Sequence, residues 1–221
     1  MSLLLLIRID KIGSIGSLWK RSTTTYAPMT KPEVLIIVAT SVDGFIAQSR
    51  LQASVDWTSS EDKKHFHQVT KQAGVVVMGE ATLETINLNY LPFSERLNII
   101  YSHKTRQELV AKLDLNQEKI NDASLRVTSL PPLALVEELR EAGFSQVAIC
   151  GGRSIYTQFM QAGVVDRLLI TVEPVIFGDG IKFFGQEMMA NLRLLSSKKL
   201  NERGTLLQEY AVEEAVKQAQ E

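Results

Sequence analysis

Cysteine is almost absent from this chain, and so is any excess of charge. Among 221 residues Cys150 is the single cysteine, so no disulfide can form within the chain. A reducing compartment, the cytoplasm, is therefore expected. Lys and Arg number 24 and Asp and Glu 25, which gives a formal net charge of -1. Without a basic excess or a polybasic block, we expect no nucleic-acid partner and no membrane surface as partner.

Long hydrophobic runs and metal-ligand patterns are also missing. No apolar run reaches the roughly 18 residues that a membrane-spanning helix needs. Apolar residues still make up 45% and charged residues 22%, a balance that is typical of a globular domain with a substantial core. His65 and His67 lie two residues apart, so on a helix they would point to different faces. We expect no metal site.

The first thirty residues differ in composition from the rest. Residues 11–30 are rich in Ser, Thr, Lys and Arg and contain no acid. Such a segment is typical of an organellar transit peptide. The alternative is a mis-assigned start, with Met29 as the initiator. We expect residues 1–30 to be a disordered extension and residues 31–221 to form a single domain.

Apolar runs rich in β-branched residues alternate with helix-like segments after residue 31. Such runs are typical of strands buried on both faces of a parallel sheet. Strands are predicted at residues 34–39, 75–78, 97–101, 147–150 and 167–175. Helices are predicted from Ser59 to Gly74, after Gly79 through Ile86, within 105–124, from Pro132 to Ala142, and up to Gln161. Segments 192–200 and 205–211 predict a β-hairpin, and the alternation as a whole predicts one α/β domain.

A Gly-Gly pair stands where a predicted strand meets a predicted helix. The apolar run 147–150 ends at Gly151 and Gly152, and a helix-like segment begins at once. Glycine permits a sharp turn or close approach to a ligand, and the start of a helix attracts phosphate. The alternative is a turn with a purely structural role. Ligands of such sheets lie at the carboxyl ends of the strands. Other residues at or near predicted strand ends therefore strengthen the indication of a nucleotide site, namely Ala39, Thr40, Gly79, Ser102 and Thr171.

Several stretches resemble the dihydrofolate reductase superfamily. Residues 56–66, which contain Trp57, Asp62 and Phe66, are similar to its Trp-to-acid-to-Phe helix. Residues 78–86 resemble its Met-Gly-x-x-Thr helix start. Residues 91–100 are similar to its Leu-Pro-x-Arg-x-Asn-Ile stretch with a small insertion, and residues 150–159 and 169–171 match in order and spacing. The resemblance covers about residues 33–185 and implies a three-layer α/β fold, with a mixed, mostly parallel sheet and helices on both faces.

Two other stretches resemble a sister branch, the reductase domain of the bifunctional riboflavin-biosynthesis deaminase–reductase. They are residues 41–47, with Asp43-Gly44, and residues 165–184, which run from Val-Asp-Arg to Gly-Asp-Gly-Ile-Lys-Phe-Phe. Both branches transfer hydride from NADPH to a C=N group of a pterin- or pyrimidine-like substrate. The riboflavin branch commonly forms dimers, so a homodimer is an expectation too. No zinc-binding deaminase motif is present in the sequence.

The resemblance implies a cofactor site along the strand ends. Its residues would be Ala39, Gly79, Thr82, Ser102, His103, Lys104, Gly151, Gly152, Arg153, Ser154, Ile155 and Tyr156. Ser102, His103 and Lys104 would receive the adenosine 2′-phosphate, or else form a solvated loop. Glu80 departs from the family, which often has Arg there, and a carboxylate would repel the phosphate. We therefore expect NADPH with a modest preference and leave NADH open.

The resemblance also implies a substrate pocket. Asp43, Trp57, Phe66 and Arg96 would bind substrate, with Arg96 holding a carboxylate or phosphate unless it is only a surface charge. Asp62 would supply the proton that hydride addition to C=N requires, and Thr171 would hydrogen-bond its carboxyl group. The alternative for Asp62 is an acid that only favours the start of a helix.

The sequence thus predicts a nicotinamide-dependent oxidoreductase of riboflavin type acting on a small molecule. A folate or pterin reductase is the first alternative. The second is a non-catalytic nucleotide-binding protein with the same fold. The expected location is the cytoplasm, or an organelle if residues 1–30 are a transit peptide.

Overall fold

The computed structural model describes residues 30–87, 90–115, 120–121 and 124–215. The predicted N-terminal extension lies outside these residues, except for Thr30, and so does the last part of the polar tail. No helix in the described part of the chain is long and apolar enough to cross a membrane.

Eight strands form one mixed sheet in the order β5-β4-β3-β6-β1-β7-β10-β9. The first six in this order pair in parallel, and β10 pairs antiparallel with β7 and with β9. Their bounds are β1 Glu33–Ser41, β3 Val75–Gly79, β4 Leu97–Tyr101, β5 Leu125–Thr128, β6 Gln146–Gly151, β7 Arg167–Glu173, β9 Ala190–Lys199 and β10 Leu206–Ala215. The predicted mixed, mostly parallel sheet with a C-terminal hairpin is confirmed.

Helices cover both faces of this sheet. They are α1 Ser60–Ala73, α2 Glu80–Leu83, α3 Arg106–Lys112, α4 Pro132–Glu141 and α5 Arg153–Gln161. Alternate residues of β3 pack on the two faces of the sheet. Val75 and Val77 pack with residues of α4 and α5 on one face, and Val76 and Met78 pack with residues of α1, α2 and α3 on the other. The continuous apolar runs therefore arise because each strand is covered on both sides.

The predicted boundaries of α1 agree with its caps. The Ser59 hydroxyl accepts the N–H of Asp62 at 3.2 Å, and Gly74 ends the helix in a left-handed conformation with φ 73°. The helix predicted through Ile86 is wrong in length, since α2 ends at Leu83. Strand β5 is missing from the prediction because four residues with Arg126 in the middle lack a clear apolar pattern.

A small second sheet lies beside the carboxyl end of β1. It pairs β2, Phe45–Ala47, with β8, Ile181–Lys182, in antiparallel fashion. Gly180 permits this approach, because a β-carbon there would lie 2.3 Å from the Ala47 carbonyl oxygen. The two stretches that carry the resemblance to the riboflavin branch are therefore neighbours in space.

The loop before β4 is fixed by the buried side chain of Asn98. Its amide oxygen accepts the Phe93 N–H at 3.0 Å, and its amide nitrogen donates to the carbonyls of Phe93, Arg96 and Ser124 at 3.0, 2.9 and 2.9 Å. Buried backbone groups need such partners. Asn98 thereby holds the segment that carries Arg96.

Candidate functional site

The Gly-Gly turn forms a cradle at the carboxyl end of β6. Gly151 has φ 125°, and a β-carbon on Gly152 would lie 2.9 Å from the Thr82 hydroxyl oxygen. Ile155 and Tyr156 donate the first helical hydrogen bonds of α5 to the Gly152 carbonyl, at 2.9 and 3.0 Å. The backbone N–H groups that precede Ile155 at the start of α5 therefore lie outside the helical hydrogen-bond pattern, as in sites that hold phosphate.

Other residues predicted to bind cofactor surround this cradle. Ile155 is buried, and its side chain would contact a β-carbon on Gly79 at 3.1 Å. The Tyr156 hydroxyl donates to the Ile37 carbonyl at 3.0 Å, so this ring is anchored in the core beside β1. Arg153 and Ser154 are exposed on the first turn of α5, and Ala39 pairs in register with Thr171.

The predicted acid, Asp62, is buried at the start of α1 and is 8% exposed. The hydroxyl groups of Thr171 and Thr58 hydrogen-bond its carboxyl group. Burial raises the pKa of Asp62, and the nearby charge of Glu173 raises it further, against the opposing effect of the two hydroxyls. A carboxyl group whose pKa is raised in this way is a better proton donor than an ordinary exposed carboxylate would be.

Glu173 is a site residue that the sequence interpretation missed. It is 2% exposed, and it accepts the Ser59 N–H and the Thr205 hydroxyl, both at 2.7 Å. The first contact ties Glu173 to the N-cap of the helix that carries Asp62. An acid inside the mostly apolar strand 167–175 was the signal for this role, since buried acids need partners.

The loop after β1 is joined to the loop after β7 by Asp43. Its carboxylate accepts the N–H groups of Phe177 and Gly178 at 3.2 and 2.7 Å. The Ser41 hydroxyl, followed by these N–H groups, lowers the pKa of Asp43. The carboxylate therefore stays ionised at neutral pH. Its hydrogen bonds hold the two loops together, so Asp43 is better placed to shape the site than to contact a substrate.

Trp57 forms part of a wall beside these loops. Its ring meets that of Phe177 edge to face, with centroids 5.0 Å apart. The indole nitrogen Nε1 is buried and has no hydrogen-bond partner among the described residues. An orphaned buried donor calls for an acceptor, and a polar substrate atom would supply one.

Phe66 and Arg96 lie on the α1 side of the sheet. Phe66 is half-buried on α1 and packs edge to face on Phe93, with centroids 5.9 Å apart. Arg96 is 4% exposed, donates from Nη1 to the Thr70 hydroxyl at 2.5 Å and lies over the Phe93 ring at 5.4 Å. The alternative of a surface charge is therefore wrong, and little of the guanidinium is left to meet a substrate.

The side chains of Ser102 and Lys104 meet at the carboxylate of Glu80. The Ser102 hydroxyl and the Lys104 ammonium each donate to the Glu80 carboxylate at 2.7 Å. Lys112, which the sequence interpretation did not include, donates to it at 2.7 Å as well. Lys104, Lys112 and Ser102 together lower the pKa of Glu80 to about 2. His103 is exposed in the same turn.

Cys150 lacks the reactivity of a nucleophile. Burial raises the pKa of the Cys150 thiol to about 12, so almost none of it is the nucleophilic thiolate at neutral pH. Within the described residues, no three His, Cys, Asp or Glu side chains gather as metal ligands would.

Comparisons with known proteins give the family of this chain. An uncharacterized protein YwjB from Bacillus subtilis is 25% identical over 180 residues, which are 78% of this chain and 90% of that protein. A dihydrofolate reductase from Candida albicans is 29% identical over 149 residues, 65% and 69% of the two chains. The solved structure of a pyrimidine reductase-like protein from Corynebacterium diphtheriae has the same fold, with a TM-score of 0.62, 21% identity and coverage of 85% and 96%.

The sequence model of the RibD C-terminal domain matches residues 32–206. This match spans β1 to β9, the Gly-Gly cradle and Asp62. The resemblance and the fold expected from the sequence are confirmed, and so is the expectation of an oxidoreductase. The chain belongs to the RibD C-terminal domain family.

Proposed function

We propose that this protein is a reductase of riboflavin-biosynthesis type that adds hydride and a proton to a C=N bond of a pyrimidine-like substrate. The observation that carries the proposal is the Asp62 carboxyl group, which is buried and hydrogen-bonded by Thr171 near the carboxyl end of β7. The Gly-Gly cradle ends β6, and β1 alone separates β6 from β7 in the sheet. The proposed phosphate site and the proposed proton donor therefore lie at the same end of the strands, the carboxyl end.

A nicotinamide dinucleotide fits the cradle. Gly152 lies against the Thr82 hydroxyl, 2.9 Å from where a β-carbon would stand, and the first turn of α5 offers N–H groups to a pyrophosphate. Gly151, Gly152, Arg153 and Ser154 would hold the pyrophosphate, with Gly79, Thr82 and Ile155 packed behind it. Ala39 and Tyr156 would line the nicotinamide side. When bound, the reduced cofactor supplies hydride.

Asp62 would deliver the proton to the substrate nitrogen. Reduction of C=N forms one C–H bond and one N–H bond, so a proton must accompany the hydride. The Thr171 and Thr58 hydroxyls fix the orientation of the carboxyl group, and the raised pKa keeps a fraction of it protonated. Trp57 Nε1 and Phe66 would orient the substrate ring beside it.

The riboflavin type is favoured over a folate or pterin reductase by the state of Arg96. A folate carboxylate would need an accessible guanidinium, whereas Arg96 is buried against Thr70 and Phe93. We assign Arg96 a structural role, in which it supports the packing of Thr70 and Phe93. The Asp43 contact that joins the loops 41–47 and 174–184 also supports the riboflavin branch.

The expected homodimer remains a proposal. Strand β9 lies at the edge of the sheet and exposes Leu192, Leu194 and Leu195. An edge strand with exposed apolar side chains is a common pairing surface. Light scattering on the purified chain would give the oligomeric state.

The function is tested by cofactor oxidation with a panel of substrates. The panel comprises a phosphoribosylaminopyrimidine, a dihydropterin and dihydrofolate, each with NADH and with NADPH. We expect turnover with the pyrimidine and little with the other two. Binding of nucleotide without oxidation in the presence of any of the three would favour the non-catalytic alternative.

The cradle predicts a specific effect of a charge at Gly152. We expect wild-type protein to bind a reduced nicotinamide dinucleotide in the micromolar range, about -8 kcal/mol. Gly152→Asp should abolish binding in titration calorimetry, because a carboxylate would repel the pyrophosphate and collide with Thr82. The matched control is Ala162→Asp at the other end of α5, which should bind normally. Equal affinity of both variants would place the pyrophosphate elsewhere.

The role of Asp62 predicts a large loss of turnover on amide substitution. Asp62→Asn keeps the shape and removes the acid, and general acid assistance is typically worth ~10²- to 10⁴-fold. We expect kcat to fall by about this factor, and by less at low pH, where solvent supplies protons. Cofactor affinity should change little. Glu61→Gln, next in the chain, is the control and should keep its turnover. Near-full turnover of Asp62→Asn from pH 5 to 9 would contradict the proposal.

The contact between Glu173 and α1 predicts a change in pH dependence. The acid must be protonated to act, so kcat declines as the pH rises through the pKa of Asp62. Glu173→Gln removes a charge that raises this pKa, and the decline should therefore begin at lower pH. Glu202→Gln at an exposed position is the control. NMR titration of the Asp62 carboxyl carbon gives the same comparison without substrate, and an unchanged midpoint would exclude this effect of Glu173.

A further inference from the structure

We propose that Glu80 makes the cofactor site select NADH over NADPH, because its carboxylate takes up the donors that a ribose 2′-phosphate would need. The proposal rests on the function proposed above, in which the dinucleotide lies along the carboxyl edge of the sheet. It concerns a cluster that we call the Glu80 cluster: Glu80, Glu84, Ser102, Lys104 and Lys112.

The first step is the place of Glu80 in the fold. Glu80 directly follows β3, and β3 pairs with β6, the strand that ends in the Gly-Gly cradle. A β-carbon on Gly79 would lie 3.9 Å from the Gly151 carbonyl oxygen, so the two strand ends are in contact. In many α/β dinucleotide sites, an acid roughly 20 residues after the glycine-rich turn binds the ribose 2′-hydroxyl. Glu80 precedes the Gly-Gly turn in the chain, but its position after the strand next to β6 brings a carboxylate to the same end of the sheet.

The second step is the charge balance of the cluster. Glu80 Oε1 accepts Lys104 Nζ and Lys112 Nζ, and Oε2 accepts the Ser102 hydroxyl, all at 2.7 Å. Lys112 also pairs with Glu84. Two carboxylates thus meet two ammonium groups, and no net positive charge remains for a phosphate. The Glu80 side chain is 18% exposed, so a ligand atom can still reach it.

The third step compares the two cofactors. A 2′-phosphate carries up to two negative charges and accepts hydrogen bonds, so it would have to displace Glu80 from Ser102 and Lys104 and then lie beside an anion. A 2′-hydroxyl can donate to the Glu80 carboxylate and leaves its three contacts in place. The modest NADPH preference expected from the sequence assumed that Lys104 opposes Glu80, whereas Lys104 is its ion-pair partner.

The test measures dissociation constants of NADH and NADPH for the full chain by titration calorimetry. We expect the wild-type protein to bind NADH at least tenfold more tightly. Glu80→Gln should bind NADPH at least tenfold more tightly than wild type, because it frees Lys104 and removes the repulsion, and should bind NADH somewhat less tightly. Glu137→Gln is the matched control. Glu137 pairs with Arg140 on α4, outside the Glu80 cluster, so the ratio of the two constants should stay near that of wild type.

The outcomes separate this inference from the function on which it rests. Tighter binding of NADPH by the wild-type protein, or an unchanged ratio in a folded Glu80→Gln variant, would overturn the role of Glu80 and leave the reductase proposal standing. Binding of neither nucleotide by the folded wild-type protein would overturn the reductase proposal itself. Thermal unfolding of each variant checks that it is folded.

Discussion

The parallel pairing of β6, β1 and β7 is the constraint on which the site depends. Because all three strands run the same way, the Gly-Gly cradle and Thr171 come to one edge of the sheet. The register of β1 then determines which residues meet. Ala39 stands opposite Thr171 on β7, and the Tyr156 hydroxyl of α5 donates to the Ile37 carbonyl of β1. A shift of one residue in β1 would turn every side chain of the strand to the other face. The buried apolar runs that specify this register therefore also place the chemistry.

Two acids at this edge have opposite environments. Asp62 is surrounded by hydroxyl groups and a second carboxylate, and its pKa is raised. Glu80 accepts from two ammonium groups and a hydroxyl, and its pKa is lowered to about 2. Glu80 is therefore ionised at neutral pH, whereas the environment of Asp62 favours its protonated form. Acids with pKa values moved apart in this way suit different tasks, and the tasks proposed for these two are cofactor choice and proton delivery.

Sequence patterns were sufficient for the strands that are buried on both faces and for the caps of α1. They were insufficient where a contact joins distant parts of the chain. Lys112 meets Glu80 across a sequence separation of 32 residues, and Thr205 meets Glu173 across the same separation of 32. Neither contact leaves a local signal in a polar helix or at the end of a hairpin. The burial of Arg96 was missed for the same reason, since its partner Thr70 lies 26 residues away in the chain.

The two loop motifs of the riboflavin branch have a common physical basis. Asp43 must lie where its carboxylate can accept two N–H groups of the loop 176–180, and Gly180 must lack a side chain because it lies against the Ala47 carbonyl. Each motif therefore requires the other, although about 130 residues of chain separate them. Together they bring Phe177 onto Trp57, which lies shortly before the start of α1. The pair of motifs thus acts as one structural unit, and its presence in the sequence carries more information about the pocket than either motif does alone.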